Sequence, residues 1–335
     1  PFSIIGVTTK IKTLRVVGDK NSEKIIDMKM EDIFNKAPKL EINTQTNDIK
    51  KEHSPPVSID SKTAACEILR YPGVSDKRFL ITIADRTVGG LTVRDQMVGP
   101  WQVPVSDCSV TSNDFFGLAG EAMAIGERGP LSLINAQAAA RVTVTEAITN
   151  IAASRIKSLS DISLSANWMC DSKSDVDRGT LFEMVEELGA SFCPNLGINI
   201  PVGKDSMSMS SSWTTTNNKA RESSAPVTLV VTAFSPVMDV TQSLTPELKH
   251  DTGTSLFLID IGTGLNQMGG SIFNQIFQLK DGATPDSKDF NLIKSFFSAI
   301  QSLNECDNIL AYHDRSDGGL FITISEMMIC SRIGV

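Results

Sequence analysis

The sequence predicts a mixed α+β or α/β fold, on three observations. Strand-like runs such as RFLITIADRTVGGLTV and APVTLVVTAFSPV alternate with helix-like runs such as GTLFEMVEELGASF and DFNLIKSFFSAIQSLNE, so the apolar period changes repeatedly between the strand and helix values. A long run of small and apolar residues, NAQAAARVTVTEAITNIAASRIK, predicts one helix buried on much of its surface. The chain has 335 residues, 41% of them hydrophobic, enough for two folded domains at roughly 100–200 residues each.

Taken in order, Ser3 to Val17 has the pattern of two short strands, GDKNSEK supplies turn chemistry, and KMEDIFNKAP a brief helix. Lys36 to Ser61 is polar and poor in large apolar residues, which predicts a surface linker. RFLITIADRTVGGLTV reads as strand, turn, strand, with Gly89 and Gly90 free to take positive φ. WQVPVSDCSVTS reads as a strand running into a polar turn. The small-residue helix follows, with Glu146 and Asn150 four apart and therefore on one face. DISLSAN is a strand, GTLFEMVEELGASF an amphipathic helix, and LGINIPVGKDSMSMSSSW a strand leading into a polar loop. APVTLVVTAFSPV is another buried strand, closing the first large domain. The second opens with SLFLIDIG, passes Gly269 and Gly270, adds a helix over DFNLIKSFFSAIQSLNE, and reaches YHDRSDGGL between two apolar runs. The last residues, SRIGV, end a helix with no closing strands, so a fragment of a longer chain is expected.

Charge and cysteine usage narrow the function classes. Net charge is -8, and there is no basic block or basic-aromatic stripe that would track a phosphate backbone, which argues against nucleic acid as a partner. Six scattered cysteines, with no CxxC, fit a reduced, cytoplasmic protein without structural zinc. The N-terminal alternation lacks the order of a signal peptide, and the apolar runs are too short to span a bilayer, so no membrane partner is expected.

Generic motifs fail. GINIPVGKD has P-loop flavour, but the glycine spacing is one residue too long and Asp205 stands where Ser or Thr is required. DSKSDVDRGTLFE is acidic like a calcium loop, yet Lys173 occupies a ligand position, and a solvated helix start is the simpler reading. The stronger signals are Asp107 at a strand end, Glu146 and Asn150 on a helix face, and Asp314, Ser316 and Asp317 at a strand-to-helix junction. Brought together, they would offer hard oxygen ligands without imidazole or thiolate, which is magnesium chemistry, and magnesium usually arrives with phosphates. Gly318 and Gly319 would let an anion approach the amides that start the next helix. Taken singly, each residue reads more simply as a helix cap or a surface acid.

Six blocks in order carry a resemblance: DRTVGGLTVRDQMVGPWQVPVSDCSV, GEAMAIGERGPLSLINAQAAARVTVTEAITNIA, LSANWM, LGINIPVGKDSMSM and AYHDRSDGGL, with KRFLITIADR before them. Together the chain resembles phosphoribosylformylglycinamidine synthase of the large single-chain kind, in the second half of its synthetase part. The resemblance implies an N-type domain like that of aminoimidazole ribonucleotide synthetase, half of a β-barrel with flanking helices, followed by a truncated α/β C-type domain. It implies the tail of a preceding C-type domain over 1–30, a connecting segment over 31–75, the second N-type domain over 76–235 and an incomplete second C-type domain over 236–335.

The family makes formylglycinamidine ribonucleotide from formylglycinamide ribonucleotide, ATP and glutamine, releasing ADP, phosphate and glutamate. Position by position, the resemblance implies magnesium ligands at Asp107, Glu146, Asn150 and Asp314, and nucleotide contacts at Ser106 and Ser316. Ser106 stands where the family often has alanine, a departure of little weight if the contact is through backbone. Lys77, Asp85 and Arg86 are implied at the productive site across the barrel, with Lys77 toward ATP phosphate. Lys204, Asp205 and Ser206 are implied beside substrate, although a polar hairpin loop would explain them as well. Implied partners are formylglycinamide ribonucleotide, ATP or ADP, Mg2+, and the first synthetase half and glutaminase domain of the same polypeptide. The alternative is a nucleotide-binding module of the same superfamily that performs no chemistry.

Overall fold

The computed structural model describes residues 2–18, 23–35, 43–44, 58–83, 86–87, 89–250, 253–280 and 282–335. Its contacts divide it into two units, Pro1–Asn43 and Thr44–Val335. In the first, β1 (Thr13–Val17) and β2 (Lys24–Lys29) pair antiparallel and run into a single helical turn, α1 (Met30–Ile33). Arg15 reaches Asp27 across this ribbon, and Lys24 reaches it along the same strand. The second expected strand thus lies after the turn, and the residues from Phe2 to Thr9 take no regular structure.

The second unit begins with α2 (Ser61–Arg70), whose first turn is closed by Asp60 accepting from the Thr63 amide. Next comes α3 (Arg78–Thr82), where the sequence had suggested a strand. A strand needs a neighbour for its amides. Arg78–Thr82 has none among the described residues and closes its bonds locally, with the Thr82 hydroxyl donating to the Arg78 carbonyl. Phe79, Leu80 and Ile83 are left facing solvent.

The sheet that organises this unit contains β3 (Thr92–Arg94), β4 (Ser109–Ser112), β5 (Gly120–Glu127), β6 (Ser163–Met169), β7 (Asn199–Ser206) and a long last strand (Thr228–Val237). A separate hairpin, β8 (Ser210–Thr214) with β9 (Ala220–Ser224), makes that last strand β10. The order is β3-β4-β5-β10-β6-β7, antiparallel except for β6 with β7. This open sheet, half of a barrel with helices on one face, is the expected mixed α/β architecture.

Helices follow the strand pattern. α4 (Gly129–Ser132) turns the chain off β5 into α5 (Ala136–Ile151), capped by the Asn135 side chain accepting from the Ala138 amide. The crossover between the parallel strands carries α6 (Asp175–Glu186), a wide helical turn over Glu187–Phe192, and α7 (Cys193–Leu196), which ends on Gly197 in the left-handed region. Along β5 alternate residues Gly120, Ala122, Ala124 and Gly126 share the buried face and are small, and Gly126 lies against α5. Leu229, Val231 and Ala233 of β10 line the same face. The opposite face leaves Ile125 and Phe234 open to solvent.

Size at Gly126 sets the distance between helix and sheet. A Cβ there would lie 2.1 Å from the Thr143 carbonyl oxygen and 2.7 Å from the Ala147 amide nitrogen, both backbone atoms of α5. This close approach brings the half-buried side of α5 that carries Glu146 and Asn150 to the end of β5.

Beyond β10 the sequence pattern is met only in part. α8 (Ile272–Ile276), α9 (Phe290–Glu305) and α10 (Gly319–Ser331) form, α9 with its start capped by Asp289 and with Ile293, Phe296, Phe297 and Ile300 inward. Ser255–Asp260 and the residues before Asp314 take no regular structure and pair with no strand among the described residues, and Phe257 is largely exposed. The expected strand-to-helix junction is therefore an unpaired segment through Asp314, followed by a turn at Asp317 and Gly318 that opens α10. The expected GKDSMSM loop is also different: Gly203–Ser206 completes β7, paired with Ala166–Met169 of β6.

Gly126→Ala is expected to destabilise the chain by about 1–3 kcal/mol, the cost of overpacking a rigid contact. Denaturant unfolding should show a lower midpoint with an unchanged slope; an unchanged midpoint would contradict the packing argument.

Candidate metal centre

The site is built around Asp107. Two residues before β4, its side chain is almost wholly buried, at 1% exposure. Tyr312 fixes the approach of the Ala311–Ser316 segment, its amide bonded to the Thr245 carbonyl and its hydroxyl donating 2.7 Å to the Thr149 carbonyl of α5. The segment thereby delivers His313 and Asp314 against Asp107. The Asp314 amide donates to Asp107 Oδ1 at 3.1 Å, and His313 Nδ1 lies 2.8 Å from the same oxygen. Ligand-capable atoms of Asp107, His313 and Asp314 all fall within 4.8 Å of one another. The Thr323 hydroxyl of α10 bonds the Asp314 carbonyl, locking the segment to the helix that follows.

Gly318 makes this junction possible. It takes φ +83° before α10, and a Cβ there would lie 2.1 Å from Ile322 Cγ1. No side chain caps the start of α10, so its first amides face the same corner as the acids.

Glu146 stands outside the tight group. Its Oε2 accepts from the Glu127 amide at 2.7 Å and its Oε1 pairs with Arg128 at 2.8 Å. Arg128 also pairs with Asp317, so it bridges α5 to the turn before α10. Asn150 donates from its amide nitrogen to the Ile125 carbonyl at 2.9 Å, and its oxygen is the atom that can face an ion. Beside this corner opens a crevice of about 2090 Å³, lined by Arg128, Glu146, His313, Asp314, Ser316 and Asp317 among others.

The electrostatics report an excess of buried negative charge. Burial, then the neighbouring Asp107 carboxylate, pushes Asp314 up to about 8. Burial pushes Glu146 up to about 7 against the pull of Arg128. His313 is held well above its ordinary value because Asp107 and Glu326 outweigh the cost of burial. Asp107 Oδ2 is buried with no hydrogen-bond partner. An orphaned carboxylate oxygen beside a second carboxylate fits a hard divalent cation, which would satisfy both. Asp107 and Asp314 would hold it, with Glu146 and Asn150 in reach from α5.

Of the residues singled out in the sequence, Asp107 and Asp314 meet directly, while Glu146 and Asn150 flank them. The Ser106 hydroxyl donates to the Cys108 carbonyl, and the Ser316 carbonyl accepts from Gly319. Lys77 bonds the Ser75 carbonyl at the start of α3, and Arg86 is held by Asp95 at 2.5 Å and Gln102 at 2.7 Å. Asp85 lies outside the described residues. Lys204, Asp205 and Ser206 sit on the outer edge strand β7, with Lys204 bonded to Ser206. Beside the oxygen groups the sequence singled out stands His313, whose ring nitrogens are both engaged with carboxylates, Nδ1 with Asp107 and Nε2 with Glu326. Arg128 and Glu326 were also missed; neither has a spacing in the sequence that ties it to the acids.

The raised acids have a pH consequence. A carboxylate whose pKa is higher folded than unfolded stabilises fully below its unfolded value, and that stability is lost as pH rises through the folded one. For Asp314 the window runs from 3.8 to about 8. Metal-free protein should therefore melt at lower temperature near pH 8 than near pH 5, and Asp314→Asn should flatten the profile. A profile that rises with pH in the parent would contradict the buried-charge account.

Comparison with known proteins bears on the part that holds the sheet. Residues 76–236 match the model of the FGAR-AT PurM_N-like domain. Similar solved structures include Thermotoga maritima PurL complexed with ATP, at 14% identity and TM-score 0.47, covering 95% of this chain and 42% of that one. The same protein complexed with FGAR matches at 16% identity and TM-score 0.44, covering 88% of this chain and 37% of that one. Phosphoribosylformylglycinamidine synthase II from Thermotoga maritima matches at 15% identity and TM-score 0.42, with 95% and 42% covered. The chain spans about two fifths of the length of these structures, and its stretch 76–236 is similar in sequence to the FGAR-AT PurM_N-like family.

Proposed function

We propose that the chain is part of an ATP-dependent synthetase that converts formylglycinamide ribonucleotide to formylglycinamidine ribonucleotide in purine synthesis, in the manner of the large single-chain enzymes. The observation that supports this most is the buried pair Asp107 and Asp314 at the uncapped start of α10, set on a domain that matches the FGAR-AT PurM_N-like model. On this reading 1–30 is the tail of a preceding C-type domain, 31–75 a connector, 76–235 the N-type domain and 236–335 C-type sequence. A cytoplasmic enzyme goes with it; among the described residues no helix is long and apolar enough to cross a membrane.

The chemistry follows from the substrate. An amide carbon is a poor electrophile with a poor leaving oxygen, so ATP phosphorylates that oxygen and ammonia then displaces phosphate from the iminophosphate. A bound Mg2+ supplies positive charge against nucleotide phosphates. Asp107 and Asp314 hold its place, and Glu146 and Asn150 approach from α5. Gly318 and Gly319 keep the entry to the α10 amides free of side chains, so phosphate oxygens can reach them. Arg128 lines the same crevice and is positioned to shift from Glu146 and Asp317 toward an anion. Ser106 and Ser316 contact nucleotide through backbone. This site is assigned the auxiliary role, holding ADP for structure. Lys77, Asp85 and Arg86 serve the productive site, and Lys204, Asp205 and Ser206 border substrate at the sheet edge. The first synthetase half and a glutaminase domain supply the remaining groups, so the chain alone is expected to form no product.

Calorimetric titration with ADP should show binding that requires Mg2+ and is lost in Asp107→Ala. A folded chain that binds ADP equally well with and without Mg2+ would contradict the assignment. A nucleotide-binding module without chemistry is separated by turnover: adding the first half and the glutaminase domain restores synthesis only on the synthetase reading.

A further inference from the structure

The sequence reading counted only oxygen ligands at this corner, yet a histidine lies in its middle. His313 is 7% exposed and both ring nitrogens are engaged, Nδ1 with Asp107 Oδ1 at 2.8 Å and Nε2 with Glu326 Oε2 at 2.7 Å. A deprotonated carboxylate only accepts hydrogen bonds, so each nitrogen acts as a donor and neither has a lone pair to give to a metal. His313 therefore belongs behind the ligands. What it does there follows from the acceptor capacity of Asp107. Oδ1 takes one bond from His313 and a second from the Asp314 amide at 3.1 Å, which fills its two lone-pair positions. Oδ2 takes none and is buried.

We propose that His313, braced by Glu326, positions Asp107 to offer a divalent cation one oxygen alone, and that this enforced single-oxygen contact favours Mg2+ over Ca2+. The inference rests on the metal-centre reading above. Its chemical basis is the difference between the two ions. Mg2+ demands a near-octahedral shell of about six single oxygens, whereas Ca2+ accepts 6–8 and readily takes both oxygens of one carboxylate. Occupying Oδ1 with two donors removes the second oxygen from use. Glu326 supplies the brace from α10, the helix whose start forms the phosphate-facing end of the site, so the orientation of Asp107 is coupled to the seating of that helix. Partners of this kind, behind the ligands of a metal, typically alter affinity by about 10–100-fold when removed.

The test is calorimetric titration of the chain with Mg2+ and, separately, with Ca2+, on the parent, His313→Ala, Glu326→Ala and Glu326→Gln, with circular dichroism confirming each fold. His313→Ala should weaken Mg2+ binding by about 10–100-fold while Ca2+ binding changes by less than about threefold, because Asp107 becomes free to bind through both oxygens. Glu326→Ala should move the Mg2+/Ca2+ ratio in the same direction. Glu326→Gln, whose amide oxygen still accepts from Nε2–H, should stay within about threefold of the parent. Equal losses for both ions in His313→Ala would indicate a merely structural histidine and overturn the inference, as would an unchanged ratio. If His313→Ala does not fold, Glu326→Ala, on a partly exposed side chain, decides by the same ratio. A parent chain that binds neither ion overturns the metal centre itself and this inference with it; a parent that binds Mg2+ with unchanged variants overturns this inference alone.

Discussion

Two carboxylates, Asp107 and Asp314, are buried within contact range of each other, and the second unit is organised to keep them there. Like charges at such a separation repel by roughly 3–4 kcal/mol at an effective dielectric of about 20. The surroundings offset this only partly. His313 and the Asp314 amide satisfy one oxygen of Asp107, burial drives Asp314 toward its neutral form, and Asp107 Oδ2 is left without a partner. Such an arrangement costs stability, and a bound cation would relieve it.

The scaffold explains how residues more than 200 positions apart meet. Gly126 lets the backbone of α5 settle on β5, which raises Glu146 and Asn150 to the strand end. Tyr312 then ties the Ala311–Ser316 segment to α5 through Thr149, and Gly318 allows the chain to turn directly into α10. Arg128 closes the arrangement by pairing with an acid on each side. Most of these contacts use small residues or backbone atoms, so the corner is set by backbone approach more than by side-chain bulk.

Much of this was legible in the sequence where period and composition agree. The small-residue run predicted α5 within a few residues, and APVTLVVTAFSPV predicted β10, because each pattern is met by a partner in the chain. RFLIT has strand composition but forms α3, since among the described residues no strand lies beside it. SLFLIDIG likewise forms no strand and pairs with none among the described residues. The hairpin of β8 and β9 was missed because its serines and threonines resemble a loop; its pairing, Ser210 with Ser224 through Thr214 with Ala220, is a contact that composition does not reveal. At the site, the acids were found by chemistry and brought together by resemblance. His313 stood in the same motif without a role, since its two carboxylate partners are 206 and 13 positions away.

The central claim is that a divalent cation and a nucleotide phosphate meet at Asp107 and Asp314. Anomalous diffraction from crystals grown with ADP and Mn2+, an ion suited to the same carboxylate ligands as Mg2+, tests it most directly. The account predicts a single strong peak in contact with Asp107 Oδ2 and an Asp314 oxygen, at about 2.1–2.2 Å, with phosphate density at the start of α10. Manganese bound elsewhere, with the Asp107 and Asp314 oxygens free of metal, would contradict it.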